Sequence, residues 1–237
     1  MTLRRRHCLA PAALGMVLAL SGCGSTITGE AVADSSTAQR AIPGELADLL
    51  LGPGDFSAPY EAVVLPPTAM KDAGSDLDIV DGAEVDPPDC GDRPGNQPTP
   101  GAIIVGTASD AAKKPISTIT IGLTRTTRST ETLAARRDRL DRCPDVTVTT
   151  KDGVTVKLRN EVTPAPPIDA DDTLAVKQTA TSGSAEKPFV QELSTLSAQV
   201  GDVVVEAVFL TYTGAKPDMA ALDQLFTDQV TKIRAAE

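Results

Sequence analysis

The chain has 237 residues, with 22 Lys and Arg against 32 Asp and Glu, one His, no Trp and four Cys. An excess of carboxylates is repelled by phosphate backbones and anionic headgroups, so composition excludes nucleic acid as a partner. The single histidine, His7, lies close to the N-terminus, and the rest of the chain lacks the parts for a serine-histidine triad, a cysteine-histidine pair or a histidine-rich metal site.

The first signal in chain order is Arg4-Arg5-Arg6, then an apolar run from Leu9 through Leu20, then Leu20-Ser21-Gly22-Cys23. A basic start, an apolar middle and a small-residue cleavage site make a secretory signal. A run of roughly a dozen apolar residues is too short for a bilayer span, which takes about 20. With cysteine directly after the small residues, the segment resembles the lipobox of bacterial lipoproteins. That resemblance implies cleavage before Cys23, acylation of its sulfur and then of its new amino group, and stable anchoring by two or three chains at about 0.8 kcal/mol per buried methylene. Plain secretion is the alternative; Arg5-Arg6 as a twin-arginine signal carries little weight, because any export signal needs a basic start. Residues 1–22 are therefore expected to be a signal peptide. Without them the chain keeps 19 basic and 32 acidic residues, a net charge of −13.

Residues 23–41 are small and polar with little apolar periodicity, as in a flexible tether with an r.m.s. span of roughly 25 Å. Residues 42–237 suit one domain with a sizeable core. Glu45 through Leu51, between Pro43 and Gly52-Pro53-Gly54, reads as a short helix with a clear stop. Tyr60 to Leu65 reads as a strand, and Pro66 to Pro88 as an acidic loop region with room for a short helix. The β-branched runs Ala102–Thr107 and Ile116–Thr124 predict an antiparallel pair. Ser129 is placed to cap a helix reaching Arg142, with Leu133 and Leu140 on one face.

Val146 through Leu158 alternates apolar and polar residues around Asp152-Gly153, a turn pair that tolerates positive φ at both centres, and predicts a hairpin with one wet face. Leu174–Thr181 and Val190–Val200 continue the β pattern. Gly201-Asp202 then turns into Val203–Leu210, apolar on both sides as in a central strand covered by helices. From Asp218 a terminal helix places Leu222, Leu225, Phe226, Val230 and Ile233 on one stripe, better suited to its own sheet than to a partner's groove. The expected fold class is α+β, a mainly antiparallel sheet with helices packed on one face.

Cys90 and Cys143 remain in an exported chain, where thiols pair. Their spacing is far from Cys-x-x-Cys, which favours a structural disulfide over a reactive pair. Closing a loop of about 53 residues stabilises on the order of 4 kcal/mol in the chain-entropy model. The bond would pin the end of the helix reaching Arg142 to the Pro87-Pro88-Asp89-Cys90 loop.

Taken together, the lipobox, the Thr26-Ile27-Thr28-Gly29-Glu30-Ala31 tether, the Leu49-Leu50-Leu51 helix, Pro87-Pro88-Asp89-Cys90, Arg142-Cys143-Pro144 with its Val-Thr-Val hairpin, and Val200-Gly201-Asp202-Val203-Val204-Val205-Glu206-Ala207 before an alanine-bearing helix resemble mycobacterial envelope lipoproteins. Within that group residues 42–237 are similar to the extracellular sensor domain of the PknH kinase type. The resemblance implies a sheet-and-helix fold with a cleft for a ligand. Such domains commonly carry two disulfides, whereas this domain has cysteines for one, and no ligand residues carry over.

Three motifs invite chemistry. Ser184-Ala185-Glu186-Lys187 matches Ser-x-x-Lys, but the companion Ser-Asp-Asn and Lys-Thr-Gly elements are missing, and Gly183 and Pro188 predict a loop. Asp72, Asp76, Asp78, Asp81 and Glu84 gather around Gly82, yet Val80 interrupts the alternation of a calcium loop, so a solvated acidic loop is expected. Asp169-Ala170-Asp171-Asp172 reads the same way. Paired carboxylates can hydrolyse glycosides, but there is no Trp to stack a sugar. The expected function is a non-catalytic, lipid-anchored binding or sensor-like domain without cofactor or metal. Its partners would be the membrane through Cys23 and an apolar envelope molecule, and the alternative is a module that docks an envelope protein.

Overall fold

The computed structural model describes residues 39–66, 69, 83–91, 100–127, 130–184, 186–212 and 217–237. All of them belong to one unit, Ala38–Glu237. Cys23, the signal peptide, most of the tether, Ser129 and Asp72, Asp76, Asp78 and Asp81 lie outside the described residues.

The described residues form a nine-stranded antiparallel sheet with few helices. In chain order the elements are α1 (Leu46–Leu49), β1 (Glu61–Leu65), β2 (Glu84–Asp86), β3 (Ala102–Ser109), β4 (Pro115–Arg125), α2 (Leu133–Arg142), β5 (Asp145–Thr149), β6 (Thr155–Thr163), β7 (Asp172–Ser184), β8 (Lys187–Val200), β9 (Val203–Thr211) and α3 (Met219–Arg234). Short 3-10 turns occupy Pro53–Asp55 and Pro88–Cys90. The strand order is β1-β3-β4-β9-β8-β7-β6-β5-β2. Consecutive hairpins supply most of the pairings, and the chain closes on itself where β9 inserts between β4 and β8.

Side chains alternate across a strand, so register assigns every residue to a face. Ile104, Ile121, Ala207, Leu196 and Ala175 lie opposite one another across five strands and are all buried. On this face Leu222, Leu225, Phe226, Val230 and Ile233 of α3 pack together with Leu49, Leu50, Leu51, Phe56 and Tyr60. The stripe read from sequence is thus the buried one, and each such side chain contributes about 1.5–3 kcal/mol. Gly106 is needed here, because a Cβ would sit 2.4 Å from the Phe56 ring.

The opposite face carries α2. Leu133 and Leu140 meet Leu174 and Val176, which flank Ala175 and therefore point away from α3. This corrects the expectation that helices pack on one face. The apolar triplet Leu174-Ala175-Val176 is buried on both sides and gives each face its own helix. A second correction concerns the start of α2: it is capped by Thr132, whose Oγ1 accepts from the Ala135 N–H at 3.1 Å.

At the far edge β2 pairs with β5, opposing Val85 to Val148. Glu84, grouped from sequence with the acidic loop, is in this strand. Cys90 and Cys143 form the disulfide, with Cα atoms 5.7 Å apart, and Cys143 terminates α2. Around it pack Val146, Val148, Val85 and Leu158. The β5–β6 turn differs from the expected two-residue form. Thr149 pairs with Thr155, Thr150 accepts from the Gly153 N–H and donates to the Val154 carbonyl, and φ is positive at Gly153 (78°) and not at Asp152. That is a three-residue loop with one left-handed glycine.

Candidate functional site

The face that bears α2 is covered unevenly. Over β5, β6 and β7 lie α2 and the disulfide, whereas over β1, β3, β4, β9 and β8 the side chains other than the buried Ser197 are half-buried or exposed. One cross-strand row runs Val63, Val105, Thr120, Val208, Thr195, Val176, Val162 across seven strands. A neighbouring row runs Thr107, Thr118, Leu210, Leu193, Gln178 and Asn160, where Gln178 Nε2 donates to Asn160 Oδ1 at 2.8 Å. Together they make a largely aliphatic and threonine-bearing floor.

The third row, Ile103, Gly122, Glu206, Ser197, Leu174, is different in chemistry. Pro100 lies over Gly122, 3.4 Å from where a Cβ would be. At the other end stands α2, from which Arg136 Nη2 donates to Glu206 Oε1 at 3.4 Å. Ser197 sits directly opposite Glu206, is 1% exposed, and its Oγ is buried without a hydrogen-bond partner among the described residues. Arg137, the next residue on α2, is held by Asp172 Oδ1 at 3.1 Å and by the Thr173 carbonyl. The helix wall is thereby fastened to β7.

Ser197 and the Arg136–Glu206 pair have no counterpart in the sequence reading. In Thr195-Leu196-Ser197-Ala198 the alternation places Ser197 on the polar side of β8, and local pattern carries no sign that α2 covers it. Gln229 was equally hidden, although it lies on the α3 stripe between Phe226 and Ile233. Fully buried, it accepts from the Leu51 N–H at 2.9 Å and donates to the Leu49 carbonyl at 2.7 Å.

Ser184 and Lys187 pair across the β7–β8 hairpin tip, where the Lys187 N–H donates to Ser184 Oγ at 3.2 Å. The motif is a turn, as expected. Asp169, Asp171 and Asp172 are not a free acidic cluster. Arg234 reaches Asp171 at 2.9 Å and Asp169 at 3.7 Å, and Arg137 takes Asp172. Partial burial pushes the Asp171 carboxyl up, but the Gly201 N–H at 2.6 Å, Arg234 and Arg40 outweigh it and hold the group below the ordinary aspartate value.

Among the described residues, the architecture is thus an antiparallel sheet buried on one face and partly open on the other, with one helix as a wall. No protein-family profile matches the chain, and no curated protein matches it in sequence. Among solved structures, the chain is similar to an uncharacterised protein from Mycobacterium smegmatis, the Rv0999 ortholog, at 14% identity and a TM-score of 0.44 over 76% of this chain and 92% of that one. It is similar to the extracellular domain of PknH from Mycobacterium tuberculosis at 17% identity and a TM-score of 0.42, over 79% of this chain and 94% of that one. PknH is also the type whose extracellular domain the sequence motifs resemble.

Proposed function

We propose that the chain is a non-catalytic, lipid-anchored domain of the cell envelope that holds an apolar molecule against the open sheet face beside α2. In this reading residues 1–22 are removed, Cys23 carries the acyl chains, residues 23–41 are the tether and residues 42–237 do the binding. The observation that carries it is the row of half-buried Val105, Thr120, Val208 and Thr195, which ends at a helix wall instead of continuing into a closed core. Binding sites are concave and mostly apolar with a few placed polar groups. The disulfide supports an oxidising compartment.

The test is native mass spectrometry of the protein after mild extraction from its envelope. A co-purified small molecule that is lost in Val208→Asp protein is the expected result, and repeated recovery of empty protein counts against a carrier. Anchoring is tested separately by metabolic labelling with a fatty acid. Cys23→Ser protein should lose the label and leave the membrane pellet, and its retention there would end the lipoprotein reading.

A second reading, docking of an envelope protein, is favoured by exposed apolar side chains at the sheet's edge and hairpin tip. Val63 and Val64 lie on the β1 edge, and Phe189 and Val190 next to the β7–β8 tip. Sheet edges and hairpin tips of this kind recruit extended partner segments. Recovery of a stoichiometric protein partner whose binding is abolished by Val63→Lys would select it.

A further inference from the structure

We infer that the molecule held on this face is a neutral amphiphile whose head bears hydroxyl and ester groups, seated at Ser197, Glu206 and Arg136. The inference rests on reading the open face as the ligand surface and adds the chemistry of the ligand. Its starting point is the Ser197 hydroxyl, which is buried and unpartnered. Leaving a hydroxyl in that state costs about 1–3 kcal/mol, and a group that both donates and accepts could be met by either kind of partner.

Its surroundings narrow the choice. Ser197 and Glu206 are directly opposed, so their side chains leave the sheet about 5 Å apart. The Arg136–Glu206 bond is long at 3.4 Å and spends one of the five guanidinium N–H groups. The pair is neutral as a unit. A carboxylate head would be set beside Glu206 and an ammonium head beside Arg136, each against a like charge. An uncharged head avoids both: an ester carbonyl can accept from Arg136, one hydroxyl can donate to Glu206, and another can pair with Ser197. From there the aliphatic body has Val208, Thr120 and Val105 to lie along. With strands about 4.8 Å apart, the path from β8 to β1 is about 19 Å, which suits a fatty acyl chain.

The experiment titrates 1-monooleoylglycerol, oleate and hexadecane into the full chain, read by native mass spectrometry, with thermal unfolding measured in parallel. Monooleoylglycerol should be retained most tightly. Ser197→Ala should weaken its retention roughly threefold to tenfold, the worth of one hydrogen bond, while leaving the unliganded Tm unchanged or raised, because an unpaired hydroxyl has gone. Equal retention of all three probes, undiminished by Ser197→Ala, would overturn the assignment of the head and leave the face as a binding surface. A fall in the unliganded Tm of Ser197→Ala without change in retention would make the hydroxyl structural and overturn it as well. Retention unaffected by Val208→Asp would overturn the reading of the face itself.

Discussion

Single buried polar groups decide more in this protein than its composition suggests. Gln229 satisfies both the carbonyl of Leu49 and the N–H of Leu51 from within α3, so the short α1 segment has its loose backbone groups completed by a side chain 180 residues away. Gln229→Leu keeps the volume but strands one donor and one acceptor, each worth about 1–3 kcal/mol. The variant should lose about 2–4 kcal/mol in urea unfolding, and a loss below about 0.5 kcal/mol would mean that water replaces the amide. The stripe Leu222, Leu225, Phe226, Val230, Ile233 was legible because helical period survives in one dimension. Gln229 broke it without revealing its partner, because backbone groups of α1 have no sequence signature.

Two aspartates give opposite pH responses. Asp171, held low by Gly201, Arg234 and Arg40 against partial burial, contributes stability that is fully present above its ordinary value of 3.8 and is lost as pH falls through its lower folded value. Asp223 on α3 is pushed up by burial, so its ionised form opposes folding, and protonation relieves this as pH falls toward the raised value. Asp171→Asn should therefore lower Tm at pH 7 and lose that effect as pH falls below the ordinary aspartate value of 3.8, whereas Asp223→Asn should raise Tm at pH 7 and become neutral as pH falls to that value. Thermal scans of both variants across that range check the signs independently.

Among the elements, hairpins were the easiest to read and the edges the hardest. β3 with β4, and β5 with β6, announced themselves by alternation around turn residues. β2 did not, because Glu84-Val85-Asp86 in an acidic stretch has no strand signal of its own. It exists through pairing with β5 and through the adjoining disulfide. The position of α2 was likewise unreadable from its own sequence, since which face it takes is decided by Leu174 and Val176 on a distant strand.

The disulfide ties these two late elements together, and its loss should act on both. Cys90→Ala and Cys143→Ala should each destabilise by about 2–5 kcal/mol, and the double variant should be little worse than either, since one bond is shared. Hydrogen exchange should show the loss concentrated in β2, β5 and the end of α2. Uniform loss over α3 and β9 would contradict the edge role. Thiol titration of the unreduced, denatured protein should find neither Cys90 nor Cys143 free.

For the molecule as a whole, the mainly antiparallel sheet was legible and the distribution of helices was not. The nine strands form one antiparallel sheet whose inner face is buried along β3 and β9 and from Ser117 to Leu123 of β4, and the remaining charge is carried at the surface. With 32 acidic residues against 22 basic, self-repulsion opposes the folded state, and salt screens it over about 8 Å at physiological strength. Raising sodium chloride from about 10 mM to 150 mM should raise Tm by a few degrees. A fall would mean that the Arg234, Arg136 and Arg137 ion pairs outweigh the repulsion.

The corner where the chain enters also sets heights. Arg40 pairs with Glu237 at the C-terminus, and its carbonyl takes the Asp202 N–H at the β8–β9 turn. β8 then runs 14 residues away from that corner, about 43 Å at strand rise, to the tip at Ser184 and Lys187. If Cys23 anchors the chain as proposed, the domain is a ruler with Arg40 and Glu237 at its zero mark. A fluorescent reporter joined after Glu237 would ride at the level of the tether, and one inserted between Ser184 and Lys187 would ride about 40 Å away along the strand. Energy transfer from each to a dye in the bilayer would read which way up the sheet stands.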